Sequence, residues 1–313
     1  MEKTSKIYVA GHTGLVGSAI IRALRKEGYY NLITYPHKNC DLVDPNVVKW
    51  IFSTDKPEYV FLAAAKVGGI NANETHSGEF IRDNILIQTH VIEAARIFNV
   101  KKLLFLGSSC IYPKFAQQPI KESYLLTSSL EPTNMGYTMA KIAGIEMCKL
   151  YRKQWGCNFI SVMPANLYGE HDNFSFEDSH VFPAMIRKFY EAKINNIGTV
   201  QLWGTGYPKR EFLYIDDLAE ALIFLMNNYN DAMHINVGTG KDVSIRELAK
   251  MIGEVVDYKG LIKWDTSMPD GTPRKLLNVS KINKLGWKYK TSLEDGIQKT
   301  YKWFVDNYEN ARK

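Results

Sequence analysis

The chain has 313 residues and a formal net charge of +6, with 45% hydrophobic and 23% charged residues. This composition is that of an ordinary globular protein, long enough for one large or two modest domains. The charge is spread without a basic block, which argues against a nucleic-acid partner, although mild basicity suits an anionic substrate such as a phosphate ester.

No apolar window approaches the ~20 residues of a membrane span, and the apolar stretch at the N-terminus is too short for a signal-peptide core. The cysteines, Cys40, Cys110, Cys148 and Cys157, show no CxxC spacing. We therefore expect free thiols in a reducing cytoplasm, no metal site and no membrane association.

Strand-like and helix-like segments alternate through the first half of the chain. In order they read KIYVAG, LVGSAIIRALRKEG, NLITY, NVVKWIFSTDKP, YVFLAAA, GEFIRDNILIQTHVIEAARIFNV, KKLLFLG, GYTMAKIAGIEMCKLYRKQWG and FISVMPANLYG, beginning and ending with a strand. This alternation predicts an α/β fold, a Rossmann-type doubly wound parallel sheet with helices on both faces. We expect residues 1–165 to form this first domain.

The alternation loosens after about residue 170. HDNFSFEDSHVFP is typical of an exposed loop before the helix AMIRKFYEAK, and EFLYIDDLAEALIFLMNNY and HINVGTG are candidates to rejoin the sheet within 211–240. We expect 166–313 to form mostly a smaller, interwoven C-terminal domain that binds substrate. Ser-x-x-Glu spacings in SIREL and at Thr291–Glu294 predict capping boxes for two late helices.

A glycine-rich turn joins the first strand to the first helix in a GxxGxxG pattern. Such a turn lets backbone amides approach a pyrophosphate, which the positive end of the following helix attracts. The pattern alone is weak, but its position in an alternating chain predicts a dinucleotide site. Its predicted cofactor contacts are Gly11, Thr13, Gly14, Leu15, Val16 and Gly17.

The end of the second strand bears on the choice between NAD and NADP, because an acidic residue there binds the ribose 2′-hydroxyl and repels a 2′-phosphate. Here Thr34 and Tyr35 replace the acid, and His37 and Lys38 follow. This favours NADP, although Lys38 is also explained as a solvated surface charge. Asp41, followed by Leu42, is better placed for the adenine side.

A YxxxK pair follows the fourth strand. Tyr137 and Lys141 share a helix face, and a nearby ammonium favours the phenolate of a tyrosine, whose ordinary pKa is about 10. The pair alone is also typical of an amphipathic helix with one core tyrosine. Its context is informative, because the fourth strand ends in Ser108.

Glycine turn, strand-end serine and YxxxK pair together resemble the short-chain dehydrogenase/reductase superfamily, in its extended, nucleotide-sugar-modifying branch. LAAAKVGG, PANLYG and REFLYIDDLAEA fit that branch, so the resemblance covers essentially the whole chain. It implies that the Ser108 and Tyr137 hydroxyls hold a substrate carbonyl while a hydride moves, and that Lys141 holds the nicotinamide ribose. It also implies further NADP(H) contacts at Ala63, Ala64, Ala65, Leu106, Gly107, Pro164, Asn166, Leu167 and His180.

The segments SSCIYPK, NFSFEDSHVFPA and PDGTPRK narrow the resemblance to members that epimerise GDP-4-keto-6-deoxy-D-mannose at C3 and C5 and then reduce its 4-keto group. The resemblance assigns the acid and base of the epimerisation to Cys110 and His180, without deciding which is which. A lone cysteine is otherwise most often a small buried hydrophobe, and His180 alone a helix-cap or surface residue.

Four further residues are implied to bind the nucleotide sugar: Lys188, Trp203, Arg210 and Asp270. Lys188 stands where the family has arginine, which keeps the charge and loses the bidentate fork. Thr13 stands where some relatives have a basic residue, which puts the strength of the NADP preference in doubt. Core packing of Trp203 and solvated charges at Lys188 and Arg210 are the alternatives.

Two other functions remain open at this point. One is a 4-epimerase or dehydratase of the same branch with tightly bound NAD, and the other is a non-catalytic NADP-binding regulator, a class that often lacks the catalytic tyrosine or lysine. The resemblance further implies a homodimer that pairs the helices at 79–99 and 137–154.

Overall fold

A six-stranded parallel sheet forms the centre of the fold in this computed structural model, which describes residues 1–176, 178–268 and 270–312. The strands run, in chain order, as β1 (Ile7–Ala10), β2 (Leu32–Ile33), β3 (Tyr59–Leu62), β4 (Lys102–Leu106), β5 (Phe159–Pro164), β6 (Asn166–Tyr168), β7 (Thr199–Trp203), β8 (Lys209–Tyr214), β9 (Ile235–Val237), β10 (Asp242–Ser244), β11 (Leu261–Asp265) and β12 (Arg274–Lys275).

The α-helices of the described residues are α1 (Leu15–Lys26), α2 (Pro45–Asp55), α3 (Ile70–Thr75), α4 (Ser77–Ile97), α5 (Met135–Trp155), α6 (Val181–Ile194), α7 (Ile215–Asn228), α8 (Ile245–Val256), α9 (Ser280–Leu285) and α10 (Leu293–Asp306). Most of them lie close to predicted segments, whereas α3 and α9 were not predicted. Short 3-10 helices lie at Ser109–Ile111, Glu122–Tyr124 and Pro132–Asn134.

The central sheet has the order β2-β1-β3-β4-β5-β9, and every neighbouring pair is parallel. Its inner strands are continuous apolar runs, with Val60 and Phe61 fully buried, as strands covered on both faces must be. α1 packs against α7, while α4 packs against α2 and α5. The predicted doubly wound α/β sheet is confirmed.

The remaining strands form smaller sheets beside the central one. β8 lies between β10 and β12 and also pairs with β6, whereas β7 pairs with β11. Of the two segments of 211–240 that were candidates to rejoin the central sheet, the strand of the second does so and the strand of the first does not. β9 pairs with β5 in the central sheet. β8 instead pairs with β6, the strand that follows β5 after Pro164, and therefore belongs to the smaller sheet.

The two predicted capping boxes have different outcomes. Ser244 and Glu247 form a reciprocal box at the start of α8, as predicted. For α10 the predicted position was wrong by one residue, because Ser292 is the N-cap and accepts a hydrogen bond from the Asp295 amide. Within the described part of the chain, no helix combines the length and apolar character needed to cross a bilayer.

Candidate active site

The glycine turn lies between β1 and α1, where two glycines permit close backbone contacts. Gly11 has φ +85°, and a Cβ there would lie 2.8 Å from the backbone of Ala64. A Cβ on Gly17 would lie 2.1 Å from the Gly11 carbonyl oxygen. Only glycine satisfies both positions, so the start of α1 is held tightly against the ends of β1 and β3.

This turn fits the diphosphate of a dinucleotide. Gly14 is the N-cap of α1 and supplies no side-chain cap, so the first amides of the helix have no side-chain acceptor at this end. The Nδ1 atom of His12 is buried without a hydrogen-bond partner among the described residues. A helix N-terminus with a close-packed glycine turn is the usual cradle for a phosphate anion.

The loop after β2 presents the predicted ribose and adenine contacts. Tyr35 does not face the turn freely, because its hydroxyl donates to Asp55 Oδ2 at 2.8 Å. His37 is exposed, with Nδ1 3.8 Å from Asp41 Oδ1, and Lys38 is exposed. The loop therefore carries two exposed basic residues, and the Asp41 carboxylate lies near His37.

Other predicted cofactor contacts lie at the carboxyl ends of the parallel strands. Ala63, Ala64 and Ala65 follow β3, and the Ala63 amide donates to the Ala10 carbonyl at 3.2 Å. Gly107 follows β4. Two predicted residues are largely occupied by the protein itself. Leu42 belongs to the buried core, and the Asn166 side chain donates to the Glu211 carbonyl at 2.7 Å.

Leu106, Pro164 and Leu167 complete the predicted cofactor set. Leu106 and Pro164 end β4 and β5, and Leu167 lies within β6. Because β4 and β5 are neighbours, the ends of these strands meet at one edge of the sheet. That edge is where α/β proteins of this kind bind nucleotides.

The predicted catalytic residues of β4 and α5 meet at this edge. Ser108 accepts a hydrogen bond from the Cys110 amide at 3.4 Å, which starts the 3-10 turn of the cysteine. The Thr138 hydroxyl donates to the Cys110 carbonyl at 3.4 Å and so ties that turn to α5. Ser108 also shares a hydrogen bond with Tyr137. One hydroxyl pair and one thiol therefore stand together.

Lys141 and Tyr137 occupy one face of α5, but not in the arrangement expected from the sequence. The ammonium of Lys141 donates to the Leu106 carbonyl at 2.8 Å and lies 5.7 Å from the centre of the Tyr137 ring. Burial lowers the pKa of Lys141 to about 8. Its charge is thus directed to the strand end.

The pKa of Tyr137 is raised, chiefly by burial and then by the neighbouring Cys110, while the hydrogen bond to Ser108 opposes the rise. The expectation of a lowered pKa is therefore wrong for this structure. The physical reason is burial of the phenol, and the Lys141 ammonium donates its hydrogen bond to the Leu106 carbonyl instead. At neutral pH the phenol keeps its proton, which suits a proton donor.

His180 is the N-cap residue of α6, but its imidazole makes no capping hydrogen bond. The residue is exposed to solvent at the start of α6, and neighbouring protein atoms partly desolvate its imidazole. This desolvation lowers the pKa of His180, and the charge of Lys275 lowers it further. A neutral imidazole is available to accept a proton.

Lys275 is a site residue that the sequence reasoning missed. Its charge acts on both His180 and Cys110, and it lines a small cavity together with Cys110, Tyr112 and Lys114. Burial lowers the pKa of Lys275, and the neighbouring Arg210 lowers it further. The basic pair at the end of PDGTPRK was the available signal.

The predicted substrate residues fall into two groups. Lys188 is half-buried, donates to the Gln201 carbonyl at 3.2 Å and stands 5.9 Å from the ring centre of the exposed Trp203. Arg210 lies near Asp270, whose charge raises the pKa of a guanidinium that burial lowers. Trp203 is thus not packed in the core.

Asp270 is less free than the sequence suggested. Its carboxylate accepts hydrogen bonds from the Thr205 amide and hydroxyl, each at 2.7 Å. The Asp270 side chain therefore closes the loop after β7 as well as facing Arg210. Pro269, which begins the PDGTPRK motif, lies outside the described residues.

The other three cysteines are free thiols. Cys40 and Cys148 are buried free thiols and Cys157 is half-buried, and burial raises the pKa of Cys148 to about 12. Among the described residues, no group of three His, Cys, Asp or Glu side chains is arranged to hold a metal ion.

Comparisons with known proteins agree with this geometry. Residues 7–238 match the model of the NAD dependent epimerase/dehydratase family. The chain is 57% identical to Putative GDP-L-fucose synthase 2 of Arabidopsis thaliana, covering 98% of this chain and 94% of the relative. It is 49% identical to GDP-L-fucose synthase of Escherichia coli (strain K12), covering 98% of each.

A solved structure of a GDP-L-fucose synthetase from Naegleria fowleri bound to NADP superimposes with a TM-score of 0.94 at 32% identity, covering 100% of this chain and 96% of that one. The family model spans the sheet, the glycine turn and the Ser108–Tyr137–Lys141 set. The chain therefore belongs to the NAD dependent epimerase/dehydratase family.

Proposed function

We propose that this enzyme converts GDP-4-keto-6-deoxy-D-mannose to GDP-L-fucose, by epimerisation at C3 and C5 followed by NADPH-dependent reduction of the 4-keto group. The observation that carries the proposal is a thiol, Cys110, held beside the Ser108–Tyr137 hydroxyl pair, with Lys275 close enough for its charge to act on both Cys110 and His180. The similarity to several GDP-L-fucose synthases over nearly the whole chain supports it.

The epimerisation uses the acidity of the hydrogens beside the 4-keto group. Cys110 and His180 remove and return protons at C3 and C5, since thiols and imidazoles as groups ionise near neutrality. The charge of Lys275 disfavours the imidazolium form of His180 and so favours the neutral ring as a proton acceptor. Ser108 and Tyr137 donate hydrogen bonds to the enolate oxygen, so their fixed positions lower the barrier.

The reduction uses the same oxygen site. NADPH, when bound, supplies a hydride to C4. Tyr137, protonated at neutral pH because its pKa is raised, donates a proton to the developing alkoxide. Lys141 holds the strand end at Leu106 and is placed for the nicotinamide ribose. The glycine turn and the start of α1 hold the diphosphate of the cofactor.

For the cofactor's 2′-phosphate, we propose His37 and Lys38. Both are exposed on the loop after β2, and no acidic residue occupies the strand end. Asp41 partly offsets the His37 charge.

The nucleotide end of the substrate meets a separate set of residues. Arg210 and Lys275 are neighbouring, half-buried cations, and the GDP diphosphate suits them as a further anionic partner. Lys188 of α6 lies near Trp203, which ends β7. The ammonium suits a phosphate and the indole suits a stacked ring. We assign substrate binding mostly to 166–313 and cofactor binding to 1–165 with the β9 segment.

The enzyme is further proposed to act as a homodimer. Met139 and Leu150 lie on an outward stripe of α5 and are 43% and 54% exposed, and Ile85 of α4 is exposed beside α5. Apolar groups at these spacings on two adjacent helices suit burial against a second copy.

The test is the oxidation of NADPH, followed at the nicotinamide absorbance band, on addition of GDP-4-keto-6-deoxy-D-mannose. We expect turnover with GDP-L-fucose as product. Cys110→Ser should abolish solvent deuterium exchange at C3 and C5 and leave NADPH binding intact, while Cys157→Ser serves as the matched control. Absence of NADPH oxidation by the unmodified enzyme would favour a 4-epimerase with bound NAD, and full exchange in Cys110→Ser would remove the thiol from the mechanism.

A further inference from the structure

Glu131 stands beside the active site, and the mechanism above does not use it. Its side chain is only 13% exposed and lies 3.1 Å from the ammonium of Lys114. It also accepts hydrogen bonds from the hydroxyls of Thr272, at 3.2 Å, and Thr133, at 3.4 Å. A largely buried carboxylate with this many partners is held in one orientation.

These contacts join three chain segments that carry site residues. Lys114 follows the 3-10 turn of Cys110, and Thr272 precedes β12, in which Lys275 lies. Glu131 itself is the N-cap of the 3-10 helix Pro132–Asn134, which runs directly into α5. The Glu131 side chain thus connects the segment of Cys110 to the segment of Lys275 at the start of α5.

The carboxylate of Glu131 also acts electrostatically on Lys275. Glu131, Cys110 and Lys275 line the same small cavity. The charges of Cys110 and Glu131 both raise the pKa of Lys275, while burial and Arg210 lower it. Asp270 and Glu131 raise the pKa of Arg210 in the same way. The carboxylate therefore favours the ammonium form of Lys275.

We propose that Glu131 is a positioning residue for the epimerisation, holding the Lys275 ammonium beside the Cys110 thiol through the Lys114 and Thr272 contacts. The inference rests on the proposed function. It adds a residue that touches neither sugar nor cofactor and acts through Lys275.

The test compares Glu131→Gln with the unmodified enzyme in solvent deuterium exchange at C3 and C5 of the keto sugar. The amide has the same shape but loses the charge, and we expect the exchange rate to fall about tenfold, as for the loss of one charged hydrogen bond. The Kd for NADPH should stay within about twofold, because the cofactor turn lies on other elements. Glu254→Gln, an exposed partner of Lys250, is the control.

A double-mutant cycle separates positioning from a general loss of structure. If Glu131 acts through Lys275, Glu131→Gln should cause little further loss in a Lys275→Met background, whereas a merely structural effect would multiply with it. Alkylation of the buried Cys148, located by mass spectrometry, reports loosening and should stay absent in every variant. Unchanged exchange in Glu131→Gln, or losses that multiply, would overturn the inference, while an unmodified enzyme without exchange would overturn the proposed function instead.

Discussion

At the scale of single residues, the site depends on which groups are charged where. Tyr137 keeps its proton because burial and Cys110 raise its pKa, while burial lowers the pKa of Lys141 to about 8. On one helix face, Tyr137 therefore holds its proton more strongly than Lys141 does. Only the lysine titrates within the ordinary working range of an enzyme.

This difference predicts a pH dependence for kcat/KM at limiting NADPH. Below pH 8 Lys141 is an ammonium, and its charge is lost as the pH rises through about 8. We therefore expect kcat/KM to fall on the alkaline side, since this parameter reports the ionisations of the free enzyme. Lys141→Arg should move that fall to higher pH, because a guanidinium stays charged. A profile that does not change between the two enzymes would assign the fall to another group.

The sequence predicted the identity of this site better than its electrostatics. Helical periodicity placed Tyr137 and Lys141 on one face, and the strand end placed Ser108 nearby. The direction of the Tyr137 pKa was wrong, because it depends on burial and on where the Lys141 ammonium points. Lys275 was missed because its proximity to Cys110 arises from chain segments far apart in the sequence.

At the scale of elements, patterns within one segment predicted more than patterns between segments. The strands and helices predicted in the first half appear close to their predicted positions, because each carries its own periodic apolar face, whereas the short helix α3 was not predicted. The pairing of β8 was not predictable in this way. β8 is apolar enough for the central sheet, but its neighbours in the structure are β6, β10 and β12.

The glycine turn yields a prediction at this scale. In Gly17→Ala the new methyl carbon would lie 2.1 Å from the Gly11 carbonyl, so α1 must shift away from β1. We expect a loss of about 1–3 kcal/mol in the free energy of unfolding, as for overpacking, and weaker binding of NADPH. Thermal unfolding and fluorescence titration measure the two effects.

The matched control is Gly78→Ala at the start of α4, where a methyl group meets nothing within 4 Å. This variant should unfold at or slightly above the temperature of the unmodified enzyme, because alanine favours helix more than glycine does. Equal behaviour of the two variants would show that the turn tolerates displacement.

At the scale of the whole molecule, the site and the outer face of α5 are two sides of one helix. Tyr137 and Lys141 face inward to the strand ends, while Met139 and Leu150 face outward. A second copy packed on this outward stripe would contact α5 on the face opposite Tyr137 and Lys141, so it would not cover the site. Association and catalysis are in this sense connected through one element.

The prediction is that Leu150→Glu separates the copies. A carboxylate placed on the buried stripe of both chains costs desolvation and adds like-charge repulsion, so the monomer should predominate at micromolar concentration. Sedimentation velocity measures the mass. Leu261→Glu, at another exposed leucine, in β11, is the control and should leave association unchanged. A monomeric unmodified enzyme would contradict the proposed interface. A Leu150→Glu dimer would also contradict it, because the new carboxylates would lie within that interface.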